Sequence, residues 1–442
     1  MSSVGTRPSL EAGVRTAREY AAWSLAHGIQ RRFLTRSAAQ GDPVAQLAIH
    51  PPVIADPYPT FERLRAQGRV VRNGFVAGTV DHAVANAVLR SEDFGTGAGQ
   101  AELPAPLRRL HGWVADQETL GPVDPPSMLV VDPPDHTRYR RLVARSFTAR
   151  KVGRMADRVD DVARRLLDEI EAEGTTFDLV ERYAARLPIA VIADLLGVPD
   201  DERELVLAWG NHAAVTLDPG LSWPTYRTAA RALREMHAWF DAHLERLRRR
   251  PGDDLLSRLL AEQGADQLSE VEVHAIGLLV LGAGFETTVN LIGNGVALLD
   301  GHPDQLAVLR DDPDLWTNAV EEVLRVESPV QLTMRAALRD TEVAGEPVAE
   351  GEAMLVYLAG ANRDPAVFDD PAAFDVTRAN ADQHLAFSAG VHFCLGASLA
   401  RLEAAVGLRL LYERFPDLRL AGTPVRRGTR VLRGYASLPV YN

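Results

Sequence analysis

The sequence predicts a mainly α protein with small β-sheets, and three observations lead to this fold class. Between about residues 132 and 325, apolar residues recur mostly at intervals of three and four, which is the spacing of amphipathic helices. Short alternating stretches bounded by turn residues occur near both ends, at 70–75 and within 326–442. No internal repeat or low-complexity block is present. We therefore expect a helical body with a smaller β-rich portion at each end.

Composition and charge restrict the functions that this chain can have. It has 442 residues, of which 46% are hydrophobic and 24% charged, as in ordinary globular proteins. The formal net charge of -12 argues against nucleic acid as the main partner, because phosphate binding requires clustered cations. The longest apolar run, 275–285, is shorter than the roughly 20 residues of a membrane-spanning helix. With polar residues at 1–10 and no apolar signal region, we expect a cytoplasmic protein without a transmembrane segment.

The first 36 residues contain a predicted helix. Residues 10–36 place apolar side chains at steps of three and four among several arginines. We expect this helix to pack on the protein body, and a helix lying on a membrane surface is the alternative, since the segment is basic and amphipathic. Four prolines between 51 and 59 follow it. The expected division is an N-terminal extension at 1–50 and one main domain at 51–442.

The single cysteine, Cys394, lies in a glycine-bearing loop, 387–396, with the sequence FSAGVHFCLG. One cysteine excludes an intramolecular disulfide and a thiolate-rich zinc or iron–sulfur site. Gly390 allows a tight turn, and Gly396 has no side chain where a flat macrocycle would approach the backbone. A helical pattern begins at Cys394, which predicts a thiolate stabilised at a helix N-terminus. The alternatives are a small buried hydrophobe, or a nucleophile for which the sequence places no base.

A second unusual segment lies inside the predicted helix 271–299, at 283–288, with the sequence AGFETT. Gly282 and Gly284 each lower helix stability by about 1 kcal/mol relative to alanine, so they indicate close approach by another group or a local distortion. The face at 283, 287, 290 and 294 carries Ala283, Thr287 and two asparagines. A core helix with hydroxyls bonded back to the preceding turn is the alternative interpretation.

A third segment, 132–147, predicts a helix with two cationic faces. His136 and Arg140 share a stripe with Val143 and Phe147, and a charged pair on an apolar stripe requires an anionic partner. The opposite stripe carries three arginines, which predicts an outward row: Arg138, Arg141 and Arg145. Solvated arginines on a surface helix are the alternative for the whole segment.

The loop 387–396 closely resembles the haem-binding signature of cytochromes P450, Phe-Gly-x-Gly-x-His/Arg-x-Cys-x-Gly. Ser388 departs from it, where the family usually has glycine, and serine at a positive φ would be strained. Segment 283–288 resembles the oxygen-activating helix of the same family, and Glu322-x-x-Arg325 resembles its Glu-x-x-Arg motif. The likeness runs from residue 56 to the C-terminus and is strongest to soluble actinobacterial members.

The resemblance implies a triangular prism with haem b between the long central helix and the cysteine-loop helix. It implies Cys394 as the axial iron ligand and the only metal-binding residue, with Glu286 and Thr287 as the acid–alcohol pair that delivers protons. It makes Glu322, Arg325 and Arg378 a structural ion-pair network. The implied cofactor-binding residues, four of them cations for the haem propionates, are His136, Arg140, Ala283, Arg335, His392, Cys394 and Gly396.

The function implied is insertion of one oxygen atom from O₂ into an apolar small molecule, with electrons from a ferredoxin and ferredoxin reductase. The ferredoxin is expected to be small and acidic and to dock near the cysteine side, at the arginine row. A peroxide-driven peroxygenase and a non-catalytic haem-binding sensor or carrier are the alternatives. The expected pocket walls, largely apolar, are 95–127, 209–226, 330–334 and 434–438.

Overall fold

The structure, a computed structural model, describes residues 10–73, 76–96, 121–262 and 268–442. Helices dominate these residues, as predicted. Their bounds are α1 Leu10–Trp23, α2 Ile29–Ala39, α3 Pro43–Ile49, α4 Pro51–Ala55, α5 Tyr58–Arg65, α6 His82–Arg90, α7 Asp135–Ala144, α8 Ala149–Arg154, α9 Ala156–Glu173, α10 Arg186–Leu196, α11 Arg203–Ala213, α12 Trp223–Arg249, α13 Leu255–Ala261, α14 Glu270–Gly301, α15 Pro303–Asp311, α16 Trp316–Val326, α17 Leu358–Ala361 and α18 Ala397–Arg414. Short π-helical turns occur at Ser24–Gly28 and Val180–Ala184.

The strands are short and lie mainly near the two ends of the chain, which confirms the predicted β-rich portions. Their bounds are β1 Val71–Arg72, β2 Ala77–Thr79, β3 Phe94–Gly95, β4 Thr176–Asp178, β5 Thr333–Ala337, β6 Thr341–Val343, β7 Glu346–Val348, β8 Ala353–Val356, β9 Arg419–Leu420, β10 Val425–Arg426, β11 Tyr435–Ser437 and β12 Pro439–Tyr441. The largest sheet has the order β1-β2-β8-β5-β3, in which β2 and β8 are parallel and the other pairs antiparallel.

The central helix α14 organises the body. Ser269 and Glu272 form a reciprocal capping box at its start, and the helix runs unbroken for 32 residues before Pro303. It packs against α10, α11, α16 and α18 and lies within the main hydrophobic core. Among the described helices, α14 alone is long and apolar enough to cross a membrane, but most of that stretch is buried inside the protein, as in a core helix.

The predicted ion-pair network is present beneath the main core. Arg325 Nε donates to Glu322 at 2.7 Å, and both side chains are fully buried. Arg378 Nε donates to the same carboxylate at 3.1 Å. Arg325 also donates to the carbonyls of Asn362, Pro371 and Ala373. A surface pair of Arg325 with Glu321 is not formed, since Glu321 binds His384 and Arg401. This network fixes α16 to the segment that leads into the cysteine loop.

The N-terminal helix predicted at 10–36 is formed by α1 and α2 with a π-turn between them, and it packs on the protein body. Trp23 Nε1 donates to the carbonyl of Leu221 at 2.9 Å, and Glu19 pairs with Arg234 on α12. The predicted sheet stretch 70–75 contributes only β1, and its residues 74–75 lie outside the described part. Most of the loop predicted at 95–127 also lies outside it, at 97–120.

Candidate functional site

The cysteine loop is fixed by backbone contacts on both sides of Cys394. Ser388 has φ +61°, the strained region predicted for a non-glycine residue there. Gly390 has φ +68°, and an added Cβ would lie 2.2 Å from the carbonyl oxygen of Leu89, so only glycine fits. The N–H of Cys394 donates to the carbonyl of Phe387 at 2.9 Å, which closes the loop.

The predicted helix start at Cys394 is wrong by three residues. A 3-10 turn at Gly390–His392 precedes Phe393, which is extended (φ −50°, ψ 135°), and α18 begins at Ala397. An added Cβ at Gly396 would meet no protein atom within 4 Å, so the fold of the chain itself does not require glycine there.

Cys394 is an exposed residue, although many protein atoms surround its thiol. Burial raises the pKa of its thiol. The backbone N–H groups of Gly396 and Ala397 and the guanidinium groups of Arg140 and Arg401 act in the opposite direction. The first turn of α18 therefore provides the electrostatic stabilisation of a thiolate that the sequence predicted, despite the later helix start.

The four predicted cations lie close together beside this loop. The His136 and His392 rings are 4.1 Å apart. Arg140 Nη2 donates to the carbonyl of Phe393, next to Cys394, at 2.6 Å. Arg335, on β5, is 4% exposed and donates to the Thr333 hydroxyl and the Met334 carbonyl. Burial lowers the pKa of Arg335 to about 10.

Among the residues that the structure describes, few carboxylates lie near these cations. Asp132 lies 3.6 Å from His392 Nε2, which is too long for a hydrogen bond and leaves that nitrogen without a hydrogen-bond partner among the described residues. Burial first, and then His136 and Arg335, lower the pKa of His392 to about 4. A buried guanidinium and two histidines with so little negative charge nearby fit an anionic ligand, as predicted from the stripe on α7.

On the central helix, Ala283 is accessible and Thr287 half-buried, whereas Glu286 and Thr288 are buried. The Thr287 hydroxyl donates to the carbonyl of Ala283 at 3.3 Å, so it bonds back to the preceding turn. Close packing accounts for the glycine at Gly284, because an added Cβ there would lie 2.7 Å from the side chain of Ile192 on α10. Gly282 has open space instead, and the helix is not distorted.

Glu286 has a partner that the sequence did not indicate. Arg427 Nη1 lies 2.7 Å from Glu286 Oε1 in a pair that is almost fully buried. The angles fall outside hydrogen-bond geometry, which leaves both carboxylate oxygens without a hydrogen bond. Arg427 also donates to the carbonyl of Tyr435 at 3.1 Å and to Asn211 on α11 at 3.4 Å. Burial raises the pKa of Glu286, and Arg427 opposes this effect.

The predicted outward row on α7 is only partly outward. Arg138 donates to Glu272 at the start of α14 and to Asp135, so the prediction is wrong for this residue. Arg141 is exposed, and Arg145 is exposed with Glu262 at 3.8 Å. Two arginines of the row therefore remain available on the surface of α7.

A helical body with a buried central helix, a cysteine loop and a cationic cluster is typical of haem-thiolate proteins. Similarity to known proteins identifies the family. The cytochrome P450 family model matches residues 211–420. Cytochrome P450 140 of Mycobacterium tuberculosis is 49% identical over 422 residues, which cover 95% of this chain and 96% of that protein. The chain belongs to the cytochrome P450 family and is an enzyme of its monooxygenase class.

Further relatives agree with this assignment. The 6-deoxyerythronolide B hydroxylase of Saccharopolyspora erythraea is 44% identical over 314 residues, which cover 70% of this chain and 76% of that enzyme. The ligand-free crystal structure of Mycobacterium smegmatis CYP164A2 has a TM-score of 0.81 at 36% identity. The match covers 90% of this chain and 99% of the CYP164A2 chain, so the predicted P450 fold is confirmed.

The family implies a haem cofactor, and the residues present fit one. The Cys394 thiol, three residues before α18, would supply the single thiolate ligand of haem iron. The guanidinium of Arg335 and the neighbouring histidines match two propionate carboxylates, since buried cations require such partners. Among the described residues, no group of three metal-ligating side chains offers a competing metal site.

Proposed function

We propose that this chain is a cytoplasmic haem b monooxygenase that inserts one oxygen atom from O₂ into an apolar small molecule, with electrons from a ferredoxin and ferredoxin reductase. The observation that carries the proposal is the arrangement around Cys394. Arg140 donates to the carbonyl next to this cysteine, and buried Arg335 lies near His136 and His392, with little carboxylate nearby in the described part of the chain.

In this assignment each site residue has a defined task. Cys394 would ligate the haem iron, and Arg140, Arg335, His136 and His392 would hold the propionates. Ala283 and Gly396 would contact the macrocycle. When bound, haem supplies the iron at which dioxygen is reduced. Iron–thiolate bonding makes the thiolate the stable form of Cys394, although burial alone favours the thiol.

Proton delivery is assigned to Glu286 and Thr287. Burial raises the pKa of Glu286, so its carboxyl takes up a proton more readily than an exposed one. The hydroxyl of Thr287 now donates to Ala283 over a long 3.3 Å bond, which is weak enough for the hydroxyl to rotate and donate elsewhere. In this proposal the carboxyl of Glu286 takes up protons and the hydroxyl of Thr287 transfers them onward, so the two side chains form a proton relay.

The substrate class rests on the pocket walls and on one relative. Leu221 precedes α12, Trp223 is the first residue of that helix, and 330–334 includes Val330 and Leu332. Such walls suit an apolar molecule. The 44% identical hydroxylase is named for 6-deoxyerythronolide B, and we place the substrate of this chain in the same class of small molecules.

A turnover assay on the holoenzyme tests the proposal. Candidate compounds are first screened for displacement of the iron-bound water, and those that bind are incubated with NADH, ferredoxin and reductase. We expect a product one oxygen atom heavier than its substrate. Product formed only with added peroxide would identify a peroxygenase, and binding without any turnover would identify a sensor or carrier. Either result overturns the monooxygenase assignment.

A further inference from the structure

Glu321, on α16, is bonded to residues on both sides of the cysteine loop. Before the loop, His384 Nε2 lies 3.1 Å from Glu321 Oε2. After it, Arg401 Nε and Nη2 donate to the two oxygens of Glu321 at 2.6 and 2.8 Å. Such a bidentate arrangement is among the strongest that arginine forms with a carboxylate. One carboxylate thus joins the two ends of the segment 384–401, which contains Cys394.

The hydrogen bonds of this cluster define its charges. The N–H of Ala386 donates to His384 Nδ1 at 3.1 Å, so the ring proton is on Nε2 and the neutral imidazole donates to Glu321. Burial opposes ionisation of Glu321, but His384 and Arg401 outweigh it and lower its pKa to about 2. The guanidinium of Arg401 keeps its charge throughout the physiological range. The three side chains therefore carry one negative and one positive charge.

The cluster lies against the backbone that holds Cys394. The Phe387 ring is 4.5 Å from the guanidinium carbon of Arg401 and 5.8 Å from the His384 ring. The carbonyl of Phe387 accepts the N–H of Cys394 at 2.9 Å. Burial raises the pKa of the Cys394 thiol, and the charge of Arg401 acts in the opposite direction. Because Glu321 carries the opposite charge, the field of the pair at the sulfur is weaker than that of Arg401 alone.

We propose that the Glu321–Arg401 pair sets the reduction potential of the haem that Cys394 ligates, with both side chains acting as positioning residues through their charges. Reduction of ferric to ferrous haem adds one electron and requires no proton. A positive charge nearby favours the ferrous form, and a negative charge favours the ferric form. The carboxylate of Glu321 therefore limits how far Arg401 raises the potential. The inference rests on the proposed ligation by Cys394 and adds to it two residues outside the loop.

A purely structural pair that fixes α16 to α18 is the alternative. The two roles predict different results when one partner is removed. If the pair only fixes the loop, its loss loosens the surroundings of Cys394 whichever partner is changed, so the potential should shift in the same direction in both cases. If the charges act, the direction of the shift follows the sign of the charge that remains.

Spectroelectrochemical titration of the substrate-free holoenzyme at pH 8 tests the proposal. Glu321→Gln keeps an acceptor for His384 and Arg401 but removes the negative charge. It should raise the midpoint potential, with about a tenfold higher ferrous-to-ferric ratio at a fixed potential. Arg401→Gln leaves the carboxylate without its cation and should lower the potential. The double variant Glu321→Gln/Arg401→Gln should lie near wild type, because the net charge of the cluster is again zero.

Two further variants separate the charge from packing and from position. Arg401→Lys keeps the charge but loses the bidentate hydrogen bond, and it should retain the wild-type potential. Arg409→Gln is the matched control, because Arg409 lies about two turns later on α18 and pairs with Glu413 at 2.8 Å. Its side chain is 33% exposed, against 30% for Arg401. The control should leave the potential unchanged.

Shifts of the same sign in Glu321→Gln and Arg401→Gln, or no shift in either, would overturn the proposal. If Glu321→Gln does not hold haem, the comparison of Arg401→Gln with Arg401→Lys decides, since only the glutamine variant should lower the potential. Failure of the underlying haem-site assignment is seen separately, as absence of the thiolate-type CO spectrum in the wild-type protein.

Discussion

Arg427 Nη1 lies 2.7 Å from Oε1 of Glu286, which ties the C-terminal hairpin segment to the catalytic part of the central helix. Both side chains are largely buried, so removing the cation leaves a carboxylate that is neither solvated nor paired. Burial raises the pKa of Glu286, and among the described residues Arg427 is the charged group that lowers it.

Arg427→Leu should therefore destabilise the protein in a pH-dependent way. The variant raises the pKa of Glu286 further above its unfolded value. When a carboxyl has a higher pKa in the folded protein than in the unfolded one, the free energy of unfolding falls as pH rises from the unfolded-state pKa to the folded-state pKa. The loss should be small near pH 4.5 and reach up to about 3 kcal/mol at pH 8, where the unpaired carboxylate is costly. Thermal melts at both pH values check this. In a Glu286→Gln background the pH dependence of the effect should vanish, and an equal loss at both pH values would contradict the pairing.

Thr287→Ala should separate electron use from product formation. Haem and substrate should bind as in wild type, because the hydroxyl makes one long bond within its own helix. NADH should be consumed at a similar rate, with most reducing equivalents appearing as hydrogen peroxide. Thr287→Ser keeps the hydroxyl and should retain most product. Peroxide and product yields per NADH measure the coupling, and unchanged coupling in Thr287→Ala would remove the residue from the relay.

Local motifs and helical periodicity could be read from the sequence, whereas distant pairings could not. Glu322 and Arg325 are one helical turn apart, so their pairing follows from spacing. Strain at Ser388 follows from the residue type within a motif that requires a turn. In contrast, nothing near Arg138 indicates that Glu272 will fold against it.

The same limit applies to the catalytic segment and to the N-terminal helix. A buried carboxylate on an apolar helix requires a cation, but spacing cannot select Arg427 from the 48 lysines and arginines. The amphipathic pattern at 10–36 predicts a helix and not the surface on which it packs. The helix start at Ala397 was missed because an extended Phe393 interrupts an otherwise helical pattern.

Cys394→Ser should abolish thiolate ligation. In wild type the reduced CO complex should show the red-shifted Soret band of a thiolate-ligated haem, because sulfur donates electron density to iron. Serine has nearly the same size, and the loop is closed by the backbone bond from residue 394 to Phe387, so the fold should persist. A CO difference spectrum of each protein is the measurement. A band in the serine variant identical to that of wild type would disprove the ligand assignment.

Arg140→Ala and Arg335→Ala should lose haem readily. Each leaves a buried propionate without its cation, at a cost of roughly 3–5 kcal/mol where the site is fully buried. The effect should be larger for Arg335, which is 4% exposed, than for half-buried Arg140. Haem transfer to apomyoglobin measures the loss. Arg339→Ala is the control, because this nearby arginine is exposed and pairs with Asp93. Equal haem retention in all three variants would contradict the propionate assignment.

Reversal of the two surface arginines of α7 should slow electron transfer from an acidic ferredoxin. The same helix carries His136 and Arg140 on its other face, so Arg141 and Arg145 lie on the outer side of an element that adjoins the cysteine loop. A local basic patch can attract an acidic partner despite a net charge of -12, since charges beyond about 8 Å are screened at physiological salt. Arg141→Glu/Arg145→Glu should reduce the rate of ferredoxin-supported reduction and weaken its dependence on salt, with substrate binding and the CO spectrum unchanged.

Arg249→Glu/Arg250→Glu makes the same change in net charge at the exposed end of α12 and should leave the rate unaltered. Stopped-flow reduction under CO at several salt concentrations compares the three proteins. Equal slowing by both reversals would reduce the effect to net charge, and equal rates and salt slopes in all three would place the docking surface elsewhere.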